Sequence, residues 1–169
     1  WERTIVAVDA AARTVTLDAA LSTALEAKFG GATVHPFSWP GRVRNAGVEG
    51  LTCFSEIDPA TPFEEDHAWM CVAVDSAEDA WVRQVTARQF ASSCVWVGRR
   101  ARAVTVEDCA GVAPASEPGG WRRVSFYVGG QQVLVQRCTS EDGRHDFAAG
   151  HCAAGPVVFL ECSAKRAQV

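Results

Sequence analysis

Apolar residues in this chain fall in short alternating runs separated by polar turns. Val104 and Val106, like Val133 and Val135, recur at every second position, the period of a half-buried strand and not of a helix. Five segments share one pattern: Ala46-Gly47-Val48-Glu49-Gly50-Leu51, Ala80-Trp81-Val82-Arg83-Gln84-Val85, Val104-Thr105-Val106-Glu107-Asp108-Cys109, Val133-Leu134-Val135-Gln136-Arg137-Cys138 and Val157-Val158-Phe159-Leu160-Glu161-Cys162. Their anchors, Val48, Val82, Val106, Val135 and Phe159, lie 34, 24, 29 and 24 residues apart. A constant core with inserts of variable length is the pattern of a solenoid, in which equivalent positions stack in space.

A second strand is expected upstream in each repeat, at Ala68–Val74, Ser93–Val97, Val124–Val128 and Asp146–Ala149. Short polar turns such as Asp75–Asp79 and Gly98–Arg100 join the two. Two or three short strands per turn predict an all-β chain wound as a parallel β-helix of about five to seven coils, stacked about 4.8 Å apart. The coils span residues 42–164. Residues 1–41 form an entry segment: a β-hairpin from Ile5–Asp9 and Thr14–Asp18, a short helix or irregular loop over Ala20–Phe29 ended by Gly30-Gly31, and a further strand at Thr33–Phe37. A β-sandwich is the rival architecture, but it would not align a Val-x-x-Cys unit at equivalent positions.

Composition narrows the function. The 169 residues fit one domain, with 48% apolar and 21% charged residues. A net charge of −4 argues against non-specific nucleic-acid binding, and no apolar run is long enough to span a bilayer. Trp1-Glu2-Arg3 opens directly into strand-like sequence, and both ends are expected to be cut from a longer solenoid. The seven cysteines lack zinc-site spacing. Cys109, Cys138 and Cys162 hold the position that Leu51 and Val85 fill elsewhere, so a reduced ladder of small buried hydrophobes is expected, a disulfide or metal role being the alternative. No metal site or cofactor is assigned; Glu64-Glu65-Asp66 offers oxygens to Ca²⁺ but reads as a solvated loop.

The phrases Arg42-Val43-Arg44-Asn45-Ala46-Gly47-Val48-Glu49-Gly50-Leu51, Trp81-Val82-Arg83-Gln84-Val85-Thr86-Ala87 and Val104-Thr105-Val106-Glu107-Asp108-Cys109 resemble coils of the pectate-lyase-like family of right-handed parallel β-helix proteins. The resemblance covers Val34 to Ala164. It implies right-handed winding, carbohydrate chemistry (lyases, glycoside hydrolases or non-catalytic polysaccharide-binding modules) and export to the periplasm or beyond. Members commonly have more coils than the five segments here.

Inserts after Leu51, Cys109 and Cys138 would wall a groove, and the residues re-entering the next strands would form a column: Asp66-His67, Ser92-Ser93, Arg122-Arg123 and Arg144-His145-Asp146. In a uronate lyase Arg144 would neutralise the sugar carboxylate, and His145 or His67 would remove the C5 proton. Asp66 and Asp146 fall too far apart for paired-carboxylate hydrolysis. Six tryptophans are the other clue, since sugar rings stack on aromatic faces. Trp69, Trp96, Trp121, Phe126 and Tyr127 lie on or beside the expected groove strands, with Arg122, Arg123, Arg144, His145, Asp146 and Asp66 as polar partners; Trp81 faces another side. The expected function is polysaccharide binding, by a module appended to a catalytic domain or self-associating through its end coils. The alternatives are a lyase or hydrolase domain and a purely structural solenoid.

Overall fold

The structure is a computed structural model and describes residues 1–168. β1 (Ile5–Asp9) and β2 (Thr14–Leu17) form an antiparallel hairpin. The strands that follow are β3 (Val43–Arg44), β4 (Gly47–Phe54), β5 (Met70–Val74), β6 (Ala77–Arg88), β7 (Ser93–Val97), β8 (Arg102–Glu107), β9 (Ala110–Val112), β10 (Phe126–Val128), β11 (Gln131–Gln136), β12 (Thr139–Glu141), β13 (Phe147–Ala149), β14 (Val157–Leu160) and β15 (Ser163–Lys165). These pair in parallel and build two sheets. The smaller runs β5-β7-β10-β13; the larger runs β14-β11-β8-β6-β9-β12-β15, with β3 and β4 also on β6.

The anchors of the repeat face one another in register. Val48 pairs with Val82, Val82 with Val106, Val106 with Val135 and Val135 with Phe159. Two residues beyond each anchor the backbone turns left-handed, at Gly50, Gln84, Asp108, Arg137 and Glu161, with φ of 69°, 55°, 55°, 51° and 53°. That residue breaks the alternation of faces, so the next inward side chain comes three positions after the anchor instead of two. Val82 and Val85, Val106 and Cys109, and Val135 and Cys138 are therefore all buried. The Val-x-x-Cys unit is the sequence trace of this corner. A second left-handed column follows five residues on, at Gln89, Ala113, Asp142 and Arg166. A left-handed non-glycine residue costs on the order of 1–2 kcal/mol; the parallel ladders on both sides hold it in place.

Both sheets share one core. Val82, Val85, Val104, Val106 and Val135 supply the large-sheet side; Val95, Val97, Phe126 and Val128 supply the other. Phe126 and Phe147 stack with centroids 5.0 Å apart, and Phe147 meets Phe159 of the large sheet at 5.9 Å. All seven cysteines are unbridged, with Cys109 and Cys138 fully buried and Cys162 partly so. Bonding to Cys109, together with burial, pushes the Cys138 thiol far up, which keeps it protonated and inert. Leu51 fills the same position but is 45% exposed, because β4 lies at an edge of the sheet.

Two expectations are corrected. Thr33–Phe37 is not a strand; it runs irregularly, pairs with no strand, and leaves Val34 and Phe37 exposed. Ala20–Phe29 is an irregular loop with a single 3₁₀ turn at Ala27–Phe29, closed by Gly30 at φ 101°, in line with the expectation. The inserts begin later than expected, since their first residues extend β4 to Phe54 and form β9 and β12. Three-residue strands of small or polar side chains (Ala-Gly-Val, Thr-Ser-Glu) are too short to display alternation. The entry segment is tied down by charge: Glu2 pairs with Arg42 and Arg102, and Asp18 with Arg102.

Candidate aromatic cleft

The strand-entry column exists in the backbone. The Ala91 amide donates to the Ala68 carbonyl at 3.0 Å, Arg123 to Ala91 at 3.3 Å and Arg144 to Arg123 at 2.9 Å. Each bond is a step from one strand entry to the next, so Ser92, Arg123 and Arg144 come into register as expected, but the first place is taken by Trp69, and Asp66 and His67 fall two to three positions short of it.

The polar side chains along that column are largely occupied. The His67 ring bridges two loops, with Nε2 2.8 Å from the Ala115 carbonyl and Nδ1 2.7 Å from Ser55 Oγ. A carbonyl only accepts, so Nε2 carries the proton and Nδ1 takes the Ser55 hydroxyl proton; neither nitrogen is left for a substrate. Arg122 pairs with Glu65, and that guanidinium holds the Glu65 carboxyl below its usual range. Arg123 is buried under the 113–125 loop, where Nε donates to the Ser116 carbonyl at 3.0 Å and Nη1 to Gln168 at 2.7 Å. Arg144 Nη1 donates to the Gly120 carbonyl at 3.0 Å and also touches His145, which is exposed. Asp146 is buried and accepts from the Ser140 hydroxyl. Asp66 is exposed, its amide donating to Glu64 at 2.6 Å. Among the described residues no three His, Cys, Asp or Glu side chains are grouped to hold a metal ion.

The aromatic residues do converge. On the outward face of the small sheet, Trp96 and Tyr127 occupy paired positions, flanked by Ala73 and Ala148. Their rings lie 9° from parallel with centroids 6.0 Å apart, forming a floor between two small neighbours. Trp121, 57% exposed on the 113–125 loop, stands at 89° to Tyr127 with a centroid distance of 6.4 Å. His151, just beyond β13, meets Trp121 edge-on at 5.3 Å. Trp69 closes the far side, its indole N–H donating to the Glu65 carbonyl at 3.2 Å. Together with Met70, Val124, Ser92 and Ser93 they line a cleft of about 440 Å³, within the size range of small-ligand sites.

Two glycines make the floor possible. A side chain at Gly98 would run into the six-membered ring of Trp96, and one at Gly150 into the Tyr127 hydroxyl. Trp81 lies away from the cleft, its indole covering Gly47 of the neighbouring strand. A second hollow, of about 1040 Å³, lies among the entry-segment residues and is crossed by the Glu2–Arg42 and Asp18–Arg102 ion pairs, with the buried Arg42 Nε left without a partner.

The sequence points to all four aromatic residues of the cleft, but also to Phe126, which instead faces inward and stacks on Phe147 in the core. It misses His151, which no repeat pattern marks, the place of Met70 and Val124 in the lining, although both lie in expected strands, and the role of Glu65, which the acidic run conceals. The Gly98 contribution was legible only as Trp96-x-Gly98. Comparisons with protein-family models, with curated proteins and with solved structures find no match to this chain.

Proposed function

We propose that the chain is part of a right-handed parallel β-helix of the pectate-lyase-like kind and binds a polysaccharide, with Trp69, Trp96, Trp121 and Tyr127 as the contact surface. The winding is supported by in-register parallel pairing of anchors 34, 24, 29 and 24 residues apart, since parallel crossovers are right-handed in nearly all cases. The single observation that carries the binding proposal is the cleft itself: four large aromatic side chains gathered from two strands, one strand entry and one loop, open to solvent outside the core. Flat rings offer sugar C–H faces a stacking surface, and Ser92 sits beside them with only marginal bonds, 3.3 Å to Ser93 and 3.5 Å to the Trp121 carbonyl. The module would serve an exported enzyme by holding it on its substrate.

Affinity electrophoresis through gels containing soluble glycans tests this. Retardation by at least one glycan, lost in Trp121→Ala, is expected; unretarded migration in every gel would remove the proposal. One observation favours a second activity, β-elimination at a uronate linkage: Arg144 and His145 touch, and His145 is exposed. That reaction would release unsaturated, ultraviolet-absorbing products from polyuronate, and Arg144→Ala would abolish them. A purely structural segment would give neither retardation nor product.

A further inference from the structure

We infer that the ligand of the aromatic cleft is an uncharged oligosaccharide, not a polyuronate; this rests on the carbohydrate-binding proposal above. The cleft lining contains no carboxylate, guanidinium or ammonium group; its ionisable members are Tyr127 and His151. The arginines close to it lie outside the lining, and each has a partner there. Arg122 is paired with Glu65, Arg123 is buried against the Ser116 carbonyl, Arg144 is bonded to the Gly120 carbonyl, and Arg99 donates to the His151 carbonyl at 3.3 Å.

A polyuronate bound here would bring one carboxylate per ring against aromatic faces, whose quadrupole is negative. Among the described residues no cation lines the cleft to meet it. To recruit Arg122, the protein would have to give up the Glu65 pair. That pair also positions the loop carrying Trp69, because the Glu65 carbonyl holds the Trp69 indole and a Glu65 carboxylate oxygen accepts from the Glu117 amide at 3.3 Å. Binding an acidic sugar would thus dismantle one wall of its own site. A neutral ring needs no such exchange. It can lie on the Trp96–Tyr127 floor with one edge against the upright Trp121, while its hydroxyls remain towards Ser92, the Tyr127 hydroxyl and solvent. A quaternary ammonium ion, the other ligand that aromatic clusters favour, would want faces closing around a point and a nearby carboxylate. Here two of the rings are nearly parallel, and the carboxylates beside the cleft, Glu65 and Asp75, are paired with Arg122 and Arg100.

The test is a titration of the whole chain, followed by tryptophan fluorescence, with neutral xylo-, gluco- and manno-oligosaccharides, with oligogalacturonate and with choline. Saturable binding of a neutral oligosaccharide is expected. Its Kd should change by less than about twofold between low and high salt, since no charge pair is screened. Trp96→Ala, and separately the loop variant Trp121→Ala, should each weaken it by roughly tenfold, the scale of one aromatic contact. Tighter binding of oligogalacturonate that weakens steeply with salt would overturn this inference and leave carbohydrate binding standing. Saturation by choline alone, or by none of the probes, would overturn both.

Discussion

Gly98→Ala isolates the packing that builds the cleft floor. Gly98 is buried, its φ lies outside the left-handed region, and its amide donates to the Val74 carbonyl at 2.8 Å, so alanine is acceptable to the backbone. The cost is steric. The new Cβ would fall on Asp75 Oδ1 and stand 2.6 Å and 2.7 Å from Cζ3 and Cη2 of Trp96. Carbon atoms rest about 3.5–4.0 Å apart, so the indole must lift by about 1 Å or more. That movement tilts Trp96 off Tyr127, forfeiting about 0.5–1.5 kcal/mol of ring contact. It also presses on the carboxylate that accepts from the Arg100 amide at 3.1 Å. Overpacking of this kind costs about 1–3 kcal/mol. With about 2 kcal/mol as the central value, a chain of this size should melt about 4–8 °C lower. Near-ultraviolet circular dichroism should report the disturbed Trp96–Tyr127 pair, and glycan affinity should fall with it. Gly119→Ala is the control: nothing lies within 4 Å of its added carbon, and its melting point should stay put. If Gly98→Ala melts and absorbs like the parent chain, the floor is not packed as described and the cleft geometry fails with it.

Phe126→Ala removes a fully buried ring from the stack with Phe147 and should cost about 3–5 kcal/mol in urea unfolding. Cys138→Val should cost less than about 1.5 kcal/mol, because Val85 fills the equivalent position; a larger loss would mean that the thiol does more than fill space. Gln84→Val forces a β-branched residue to φ 55° and should cost about 1–3 kcal/mol although the side chain is exposed, whereas Gln84→Gly should not; equal melting of the two would contradict the left-handed corner. Glu65 has a folded-state pKa below its unfolded value, so its bond to Arg122 stabilises the fold above the unfolded pKa and is lost as pH falls through the folded one. The melting difference between the parent chain and Glu65→Gln should therefore be full at neutral pH and close below about pH 4.

The spacing of Val48, Val82, Val106, Val135 and Phe159 was enough to set the pairing register of the large sheet. A buried strand face allows no one-residue slip without turning its apolar side chains to solvent, so the hydrophobic pattern itself encodes register. The same logic exposed the cysteine column, since Leu, Val and Cys exchange freely where only small apolar volume is required. It also put Trp69, Trp96, Trp121 and Tyr127 on one side of the molecule. The fate of the polar side chains was not written in that pattern. Whether Arg123 meets a ligand or a carbonyl depends on the 113–125 loop folding back over it, and His67 became a bridge because Ser55 and Ala115 arrive from segments without periodicity. His151, Gly98 and Gly150 joined the cleft through contacts between residues distant along the chain. Periodic burial is a local property that a sequence displays; hydrogen-bond partners and ring-to-ring approach are settled only when separate strands and loops are packed together.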